Sequence, residues 1–562
     1  MVPGERCYVK KWLIVLVVAG LLTPLSGRAD HSRTYADPVF AHPGLLHTQA
    51  DLDRIELMVD AGMQPYLDGW NALLASPLSS DNWTPRATAT IVRGGTGTNV
   101  SLLYTDIARA YQNALIWRIS GDTDHGDTAR DILNAWSATL TTITGNADRY
   151  LASGLYGYQM ANAAELMRGY PGFDVAQMQD LLLDVFYTPL AERFLIGNAY
   201  GDDHNGAYIQ NYWANWDLAN MAATVAIGIF CDRADIYEIG VNYFQYGAGN
   251  GSIYNAIPYL HPGGLAQWQE SGRDQPHTML GIGLMATVAE MAWNQGDDLY
   301  GWADNRFLQA AEYVAKYNLG DAVPYSTYEW GSGVNGSVQT QTVISDSGRY
   351  GSRPIWEMIY HHYVSRKGLS APNIAAIAAQ GRPEGGPDPQ SPSSYDHLGF
   401  GTLMHTRPSG GGGSAAQPAG NVADGTYRFT LQLDGKAMGT ADTSSGAAAL
   451  KSTYTGSPSQ HWQVNHVGGG QYTIRNAASG LYLDVADVSH DHGASFIQWS
   501  YTGAANQRFA FLPTGGGYYR ITPVHSNKPA DVPGASTAEN VELKQWRYIL
   551  GSNQQWLLEP VS

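Results

Sequence analysis

Residues 408–420, which read PSGGGGSAAQPAG, divide the 562-residue chain into two parts with different sequence patterns. A run rich in Gly, Ser and Pro cannot bury enough apolar surface to pack, and it is typical of a flexible tether. We therefore interpret residues 407–420 as a linker between a domain at residues 37–406 and a second domain at residues 421–562.

The part before the linker is dominated by helical periodicity. In residues 102–120 (LLYTDIARAYQNALIWRIS) apolar side chains recur at three- and four-residue spacing, which is typical of a helix with one buried face. The same pattern recurs in residues 159–167, 176–186, 213–230, 278–293 and 307–317. The sequence therefore predicts a large all-α body.

The part after the linker has the pattern of short strands. Apolar and polar side chains alternate in residues 427–433, 472–475 and 518–522, and clusters of Gly, Asn and Ser separate these segments. Alternation with a period of two predicts strands with one buried face. The second domain is therefore expected to be all-β.

A motif of the form Gln-x-aromatic occurs three times in the β part. Its copies begin at Gln460, Gln507 and Gln554, at an equal spacing of 47 residues. Equal spacing indicates three similar structural units that close on one another. The motifs resemble those of the ricin-type β-trefoil lectins, over about residues 421–560, and the resemblance implies a β-trefoil with up to three sugar sites.

In that family an Asp early in each repeat and a polar–aromatic pair before the motif bind sugar. Physically, a carboxylate can accept two hydroxyl hydrogen bonds and an indole can stack on a sugar ring. In the second and third repeats the aromatic residue of this pair is Trp499 or Trp546, and the alternative role for both is packing in the core. The first repeat has Ala437, Lys451 and Ser452 at these positions, so no site is expected there. The candidate carbohydrate-binding residues are Asp484, Gln498, Trp499 and Gln507 in the second repeat and Asp531, Gln545, Trp546 and Gln554 in the third.

The helical part contains a dense polar loop at residues 269–278, QESGRDQPHT. Glu270, Arg273, Asp274 and His277 fall within eight residues of a chain in which only 15% of residues are charged. The loop also directly precedes a predicted helix. Two interpretations follow, a catalytic loop or a structural cluster of ion pairs.

Two further polar–aromatic stretches offer candidate site residues. Residues 202–220 include Asn215, and residues 323–330 include Tyr325 and Tyr328 after a predicted helix. Aromatic-rich segments more often serve packing, so both stretches have a structural alternative.

The helical part resembles the alginate-lyase-like polysaccharide lyases, whose fold is an α/α toroid. The resemblance covers roughly residues 40–406 and rests on HPGLLHT (42–48), NYWANWDLANMA (211–222), ESGRDQPHT (270–278) and NQGDDLYGWADNRF (294–307). Well-studied members pair Asn with His in one motif and place a Tyr shortly after the Arg. Here Trp216 follows Asn215, and His277 stands where a Tyr is expected.

The resemblance implies cleavage of an acidic, uronic-acid polysaccharide by β-elimination, as for alginate or glucuronan. The enzyme must neutralise the carboxylate beside C5, then remove the C5 proton and protonate the leaving oxygen. Arg273 with Asn215 could neutralise the substrate carboxylate. His277 could take the C5 proton or stabilise the developing charge. Tyr325 or Tyr328 could act as the acid or the base. Two alternatives stay open: a glycoside hydrolase on the same toroid using Glu270 and Asp274, or a sugar-binding protein without catalysis.

The composition indicates which partners are excluded, and the N-terminal sequence indicates where the protein is located. With 33 Lys+Arg against 50 Asp+Glu, the net charge of −17 argues against nucleic-acid binding. Basic residues, the apolar run 12–22 and Gly27-Arg28-Ala29 predict a signal peptide at residues 1–29. We therefore expect an exported protein, extracellular or periplasmic, with no membrane segment after cleavage. No metal-ligand spacing such as HExxH occurs, and neither a metal nor a cofactor is expected.

Overall fold

The protein is described from a computed structural model that covers residues 40–197, 203–387, 395–407, 422–468, 471–489, 492–515, 517–526, 528–546 and 551–561. The expected signal peptide at residues 1–29 lies outside these residues, as does the linker 407–420 except for its first residue.

The first part is helical, as its periodicity predicts. Two π-helical segments, Leu182–Ala191 and His361–Arg366, continue the sixth and thirteenth helices. In chain order the α-helices are α1 (Gln49–Asp60), α2 (Tyr66–Leu74), α3 (Ser101–Ser120), α4 (Thr123–Thr139), α5 (Asp148–Leu166), α6 (Val175–Leu181), α7 (Glu192–Ile196), α8 (Ala214–Phe230), α9 (Ala234–Tyr246), α10 (Ile253–Ala256), α11 (Gln275–Asn294), α12 (Trp302–Asn318), α13 (Trp356–Tyr360), α14 (Pro372–Gly381) and α15 (Gly401–His405).

The helices pack in two layers. In the inner layer α3 contacts α5, α5 contacts α8, and α8 contacts α11. Almost every residue of α5, α8 and α11 is buried, and a helix that is apolar on all sides is expected in such a position. The next helix along the chain, α4 after α3 and α9 after α8, packs outside its partner and buries one face only. This is the helix-pair arrangement of the α/α toroid expected from the sequence.

Three two-stranded sheets interrupt the helices, which the all-α expectation did not include. They are β1 (Thr90–Arg93) with β2 (Thr142–Gly145), β3 (Tyr259–His261) with β4 (Leu265–Gln267), and β5 (Tyr328–Ser332) with β6 (Ser337–Gln341). The β3–β4 hairpin leads directly into the polar loop that precedes α11.

The part after the linker consists of short strands joined by turns. In chain order they are β7 (Gly425–Leu431), β8 (Ala437–Thr440), β9 (Ala449–Ser452), β10 (Trp462–Gly468), β11 (Gln471–Asn476), β12 (Tyr482–Val485), β13 (Phe496–Trp499), β14 (Phe509–Gly515), β15 (Tyr518–Pro523), β16 (Ala530–Asp531), β17 (Val541–Glu542), β18 (Lys544–Gln545) and β19 (Trp556–Pro560).

Six of these strands close into a barrel. The antiparallel pairs β7–β10, β10–β11, β11–β14, β14–β15, β15–β19 and β19–β7 form an unbroken ring. The pairs β8–β9, β12–β13 and β16–β18 add one hairpin-like unit per repeat. Trp462, Phe509 and Trp556, the aromatic residues of the three motifs, are fully buried. The predicted β-trefoil is confirmed.

Candidate functional site

A buried carboxylate, Glu270, joins the two helix starts that carry the candidate residues. Glu270 is fully buried, and its Oε1 accepts the backbone N–H of Asn215 at 3.0 Å. Arg273 Nη1 donates to Oε2 at 2.8 Å. Burial raises the pKa of Glu270, although the Arg273 charge and the Asn215 hydrogen bonds act in the opposite direction. Glu270 therefore holds the start of α8 against the loop before α11.

The position of Asn215 differs from the role expected for it. Its side chain is fully buried, and its Nδ2 donates to the Glu270 oxygens at 3.0 and 2.9 Å. The two oxygens of one carboxylate lie close together, so a single N–H of the amide can point between them. Asn215 therefore positions Glu270, and its complete burial keeps its amide away from a substrate carboxylate.

Arg273 is the cation of the site and remains partly accessible. Its side chain is 24% exposed, its Nε lies 3.5 Å from Asp274 Oδ2, and its guanidinium lies 5.1 Å from the centre of the Trp213 ring. The contacts to Glu270, Asp274 and Trp213 restrict the guanidinium to one orientation. A planar fork held in this way is suited to a carboxylate ligand.

His277 and Asp274 form a pair at the start of α11. The Asp274 carboxylate accepts the backbone N–H of His277 at 2.8 Å, which caps the helix, and both its oxygens lie 2.8 Å from His277 Nδ1. Burial alone would raise the pKa of Asp274, but the His277 hydrogen bonds and the nearby positive charges lower it. A charged Asp274 favours the tautomer that donates from Nδ1, which leaves Nε2 as the acceptor nitrogen of the neutral ring. The His277 side chain is 40% exposed.

The two candidate tyrosines lie in different environments. A Cβ added to Gly272 would lie 2.3 Å from the Tyr325 hydroxyl oxygen, so this hydroxyl lies against the polar loop. Burial, with Tyr259 nearby, raises the pKa of Tyr325 to about 12, so the hydroxyl keeps its proton. Tyr328, the other candidate acid or base, is only 5% exposed. Its hydroxyl lies 3.4 Å from Asn250 Oδ1, so Tyr328 is a packing residue.

A second buried pair beside the site was not identified from the sequence. His204 and Asp217 are both fully buried, and His204 Nε2 lies 2.9 Å from Asp217 Oδ1. Asp217 also accepts the backbone N–H of Gly251 at 2.8 Å. Burial alone would lower the pKa of His204, but the charge and hydrogen bond of Asp217 raise it. Both residues fall in the polar–aromatic stretch 202–220, but no spacing rule indicated that they pair.

The geometry argues against the hydrolase alternative. A hydrolase needs two carboxyl groups that can reach the sugar. Glu270 is fully buried with both oxygens hydrogen-bonded, and the Asp274 oxygens are bound by His277. Neither carboxyl group is arranged to protonate a glycosidic oxygen.

The second trefoil repeat holds its carboxylate by two side chains. Asn506 Nδ2 donates to Asp484 Oδ1 at 2.9 Å, and Gln507 Nε2 donates to Oδ2 at 2.8 Å. Burial raises the pKa of Asp484 to about 6. Trp499 is 44% exposed, which is unusual for an indole in a core and agrees with a sugar-stacking surface.

The third repeat has the same arrangement. Asn553 Nδ2 donates to Asp531 Oδ1 at 2.8 Å, and Gln554 also hydrogen-bonds Asp531. Burial raises the pKa of Asp531 to about 7. Trp546 is 41% exposed and lies 4.8 Å from the ring of His492. The two asparagines were missed, although each directly precedes the Gln of its motif at the same 47-residue spacing.

Gln498 and Gln545 were expected to contact sugar but are fully buried. Gln498 Nε2 donates to the carbonyls of Asp442 and Ser444 at 2.8 and 2.9 Å. Gln545 Nε2 donates to the Ser489 carbonyl at 2.8 Å. Their amides therefore join neighbouring loops. The structure gives both residues a positioning role.

The first repeat has a different arrangement at the equivalent place. Lys451 is fully buried and its ammonium contacts the Asp434 carboxylate, while Ala437 stands where the other two repeats have Asp484 and Asp531. Lys451, nine residues before its motif, stands where the other two repeats have Gln498 and Gln545.

Two features are absent from the residues that the structure describes. Within them, no group of three or more His, Cys, Asp or Glu side chains is placed to hold a metal ion. No helix in the described ranges combines the length and apolar character needed to cross a bilayer.

Comparison with protein families matches each part of the chain. Residues 81–323 match the alginate lyase family, and the overlapping segments 417–499, 458–546 and 505–562 match the ricin-type beta-trefoil lectin domain-like family. Both resemblances drawn from the motifs are thereby confirmed. No curated protein matches the chain.

Solved structures similar to this chain cover the β part. The designed 3-fold symmetric protein ThreeFoil is 37% identical over 25% of this chain and all 100% of its own, with a TM-score of 0.24. An exo-β-1,3-galactanase from Clostridium thermocellum is 34% identical over 25% of this chain and 31% of its own, with a TM-score of 0.24. The Macrolepiota procera ricin B-like lectin in complex with lactose is 20% identical over 25% of this chain and 99% of its own, with a TM-score of 0.22.

Proposed function

Because the chain joins an alginate lyase family domain to a ricin-type lectin domain, we propose that this polysaccharide lyase is exported and cleaves a uronic-acid polymer by β-elimination. The observation that carries the proposal is the pairing of an oriented imidazole, His277 on Asp274, with the anchored guanidinium of Arg273 on the same loop. These are the two groups that removal of a proton beside a carboxylate requires.

The reaction follows from the positions of these groups. Arg273 binds the carboxylate at C5 and stabilises the charge that develops when the C5 proton leaves. His277 takes that proton on Nε2, and the Asp274 carboxylate stabilises the imidazolium that forms. The electron pair of the C–H bond forms the C4–C5 double bond, and the O4 leaving group departs. Tyr325, which keeps its proton at neutral pH, donates it to that oxygen.

Location and substrate delivery complete the proposal. The N-terminal sequence supports export, because a charged start and a short apolar run precede a small-residue cleavage pattern. The lectin domain binds sugar units at the Asp484 and Asp531 sites and keeps the catalytic domain near polymeric substrate, which raises its effective concentration.

The experiment is a screen of the purified full-length protein against polymannuronate, polyguluronate, glucuronan and glycosaminoglycans. A lyase product carries a double bond conjugated to the carboxylate and gains an ultraviolet absorbance that the substrate lacks, whereas hydrolysis yields only reducing ends. The proposal predicts absorbance with at least one polymer and its loss in the His277→Ala variant. Reducing ends without absorbance would support a hydrolase, and sugar binding without turnover of any polymer would support a binding protein.

A further inference from the structure

The lectin domain contacts the helical domain directly through one arginine. Residues Pro38–Ser562 form a single compact unit. Within it, Arg520 on β15 of the trefoil donates from Nη1 to Glu238 Oε1 on α9 at 3.0 Å. It also donates from Nη2 to Asp297 Oδ1, in the connection between α11 and α12, at 2.6 Å. The arginine of one domain thus joins two separate elements of the other.

These charges are removed from water. Arg520 is 5% exposed and Glu238 is 3% exposed. Burying a charge is costly unless it is paired and hydrogen-bonded, and breaking such a pair leaves an uncompensated buried charge. The Tyr237 hydroxyl donates to the second Asp297 oxygen at 2.8 Å, which holds this carboxylate towards Arg520. The contact is therefore a buried, hydrogen-bonded ion pair and not a transient contact between two exposed side chains.

A second contact lies further along the same helix. The Tyr246 hydroxyl, at the end of α9, donates to the main-chain carbonyl of Val524, just after β15. Tyr246 packs edge-on against Trp302 at the start of α12, with ring centres 5.8 Å apart. The Arg520 and Tyr246 contacts lie at different points along α9 and along β15 and the residue that follows it. Together they fix the distance between the trefoil and the helical domain and restrict rotation of one against the other.

The threefold repeat of the trefoil provides an internal comparison. The first barrel strand of each repeat, β7, β11 or β15, carries an equivalent three-residue segment. These segments are Tyr427-Arg428-Phe429, Tyr472-Thr473-Ile474 and Tyr519-Arg520-Ile521. Arg428 donates from Nε to Glu559 within the trefoil at 2.8 Å, and the second repeat has a Thr. Of these three equivalent positions, the third carries an arginine that binds the helical domain.

We propose that the Arg520 ion pairs dock the trefoil in one position on the helical domain, so that the two domains move as one rigid body in solution. The Gly-rich segment then connects the domains without letting the lectin swing, in contrast to the tether expected from its composition. The sugar sites at Asp484 and Asp531 keep a constant position relative to the Arg273–His277 site. A bound polymer is thus presented to the catalytic domain in a defined geometry.

The test uses the full-length chain and two readouts that do not depend on activity. Small-angle X-ray scattering reports the largest dimension of the particle, and hydrogen exchange reports protection of the α9 amides. Arg520→Glu places a carboxylate beside Glu238 and Asp297 and should undock the trefoil. The largest dimension should then increase, and exchange in Ala234–Tyr246 should rise about tenfold or more. Arg428→Glu is the matched control and should leave both readouts unchanged.

A variant on the helical side of the contact controls for the possibility that Arg520→Glu misfolds the trefoil. Glu238→Lys opposes Arg520 from the helical domain, leaves the trefoil sequence intact and should give the same two changes. Both variants should still bind sugar and should still cleave short oligomers, measured by the absorbance of the product. Neither Arg520 nor Glu238 lies at the lectin sites or at the Arg273–His277 site. A wild-type protein whose scattering already requires a broad ensemble would overturn the proposal. So would Arg520→Glu and Glu238→Lys variants with wild-type scattering and exchange.

Discussion

Both oxygens of Asp274 lie 2.8 Å from His277 Nδ1, and the same carboxylate caps α11 by accepting the His277 backbone N–H. One side chain thus begins the helix and sets the tautomer of the imidazole. Because Asp274 both caps α11 and contacts Nδ1, the orientation of the imidazole is set by the helix start.

Asp274→Asn separates the two roles of this residue. Asn caps a helix about as well as Asp, so the melting temperature should change little. The neutral amide no longer favours a proton on Nδ1, so kcat should fall by about 10²–10⁴-fold, the usual contribution of a general base. Asp174→Asn, at the cap of α6, should leave both kcat and melting temperature unchanged. Full activity of Asp274→Asn would contradict the role given to the Asp274 carboxylate, and full activity of His277→Ala would exclude His277 as the base.

Arg273→Lys tests the role of the planar guanidinium. Lys keeps the charge but lacks the two parallel donors that match a carboxylate. We expect kcat/KM to fall by an amount equivalent to about 2–4 kcal/mol of transition-state stabilisation. Arg233→Lys, at an exposed pair with Asp235, should have wild-type kinetics. A change in KM alone would mean that Arg273 only binds the substrate.

The two lectin sites should act independently. Asp484→Ala and Asp531→Ala should each weaken sugar binding, and the double variant should abolish it, because each Asp is the held acceptor of its site. Ala437→Asp should not create a third site, since Lys451 and Ser452 stand where the other two repeats have the Gln–Trp pair. Calorimetry with sugars from a glycan array measures this, with turnover of soluble oligomers as the control. Residual binding by the double variant would place the sugar sites elsewhere.

The pH dependence of the lectin domain should have opposite signs for binding and stability. The pKa values of Asp484 and Asp531 are raised to about 6 and about 7, above the ordinary value of about 4. The folded domain therefore holds more protons than the unfolded chain, so its stability should fall as pH rises through these values. Sugar binding uses the charged acceptors and should instead strengthen over the same range. Binding titrations and thermal melts check this, and binding that strengthens towards low pH would contradict it.

The sequence predicts the architecture well because both patterns are periodic. The equal spacing of the Gln-x-aromatic motifs leads directly to the trefoil, and the three buried aromatic residues confirm it. Site roles were harder to predict, because they depend on which polar groups meet. Asn215 looks like a free donor in the sequence, yet Glu270, distant along the chain, uses its amide. Likewise, Arg520 lies in an ordinary strand pattern, and its partners Glu238 and Asp297 come from the other domain.

The most direct test of β-elimination is the mass of the products formed in oxygen-18 water. Elimination adds no water, so the masses of the two fragments should sum to the mass of the starting oligouronide, and neither fragment should carry the label. One fragment should contain the unsaturated uronate, and Asp274→Asn should slow its formation together with substrate loss. Fragments whose masses sum to the substrate plus one water, with oxygen-18 at the new reducing end, would contradict the account and identify a hydrolase.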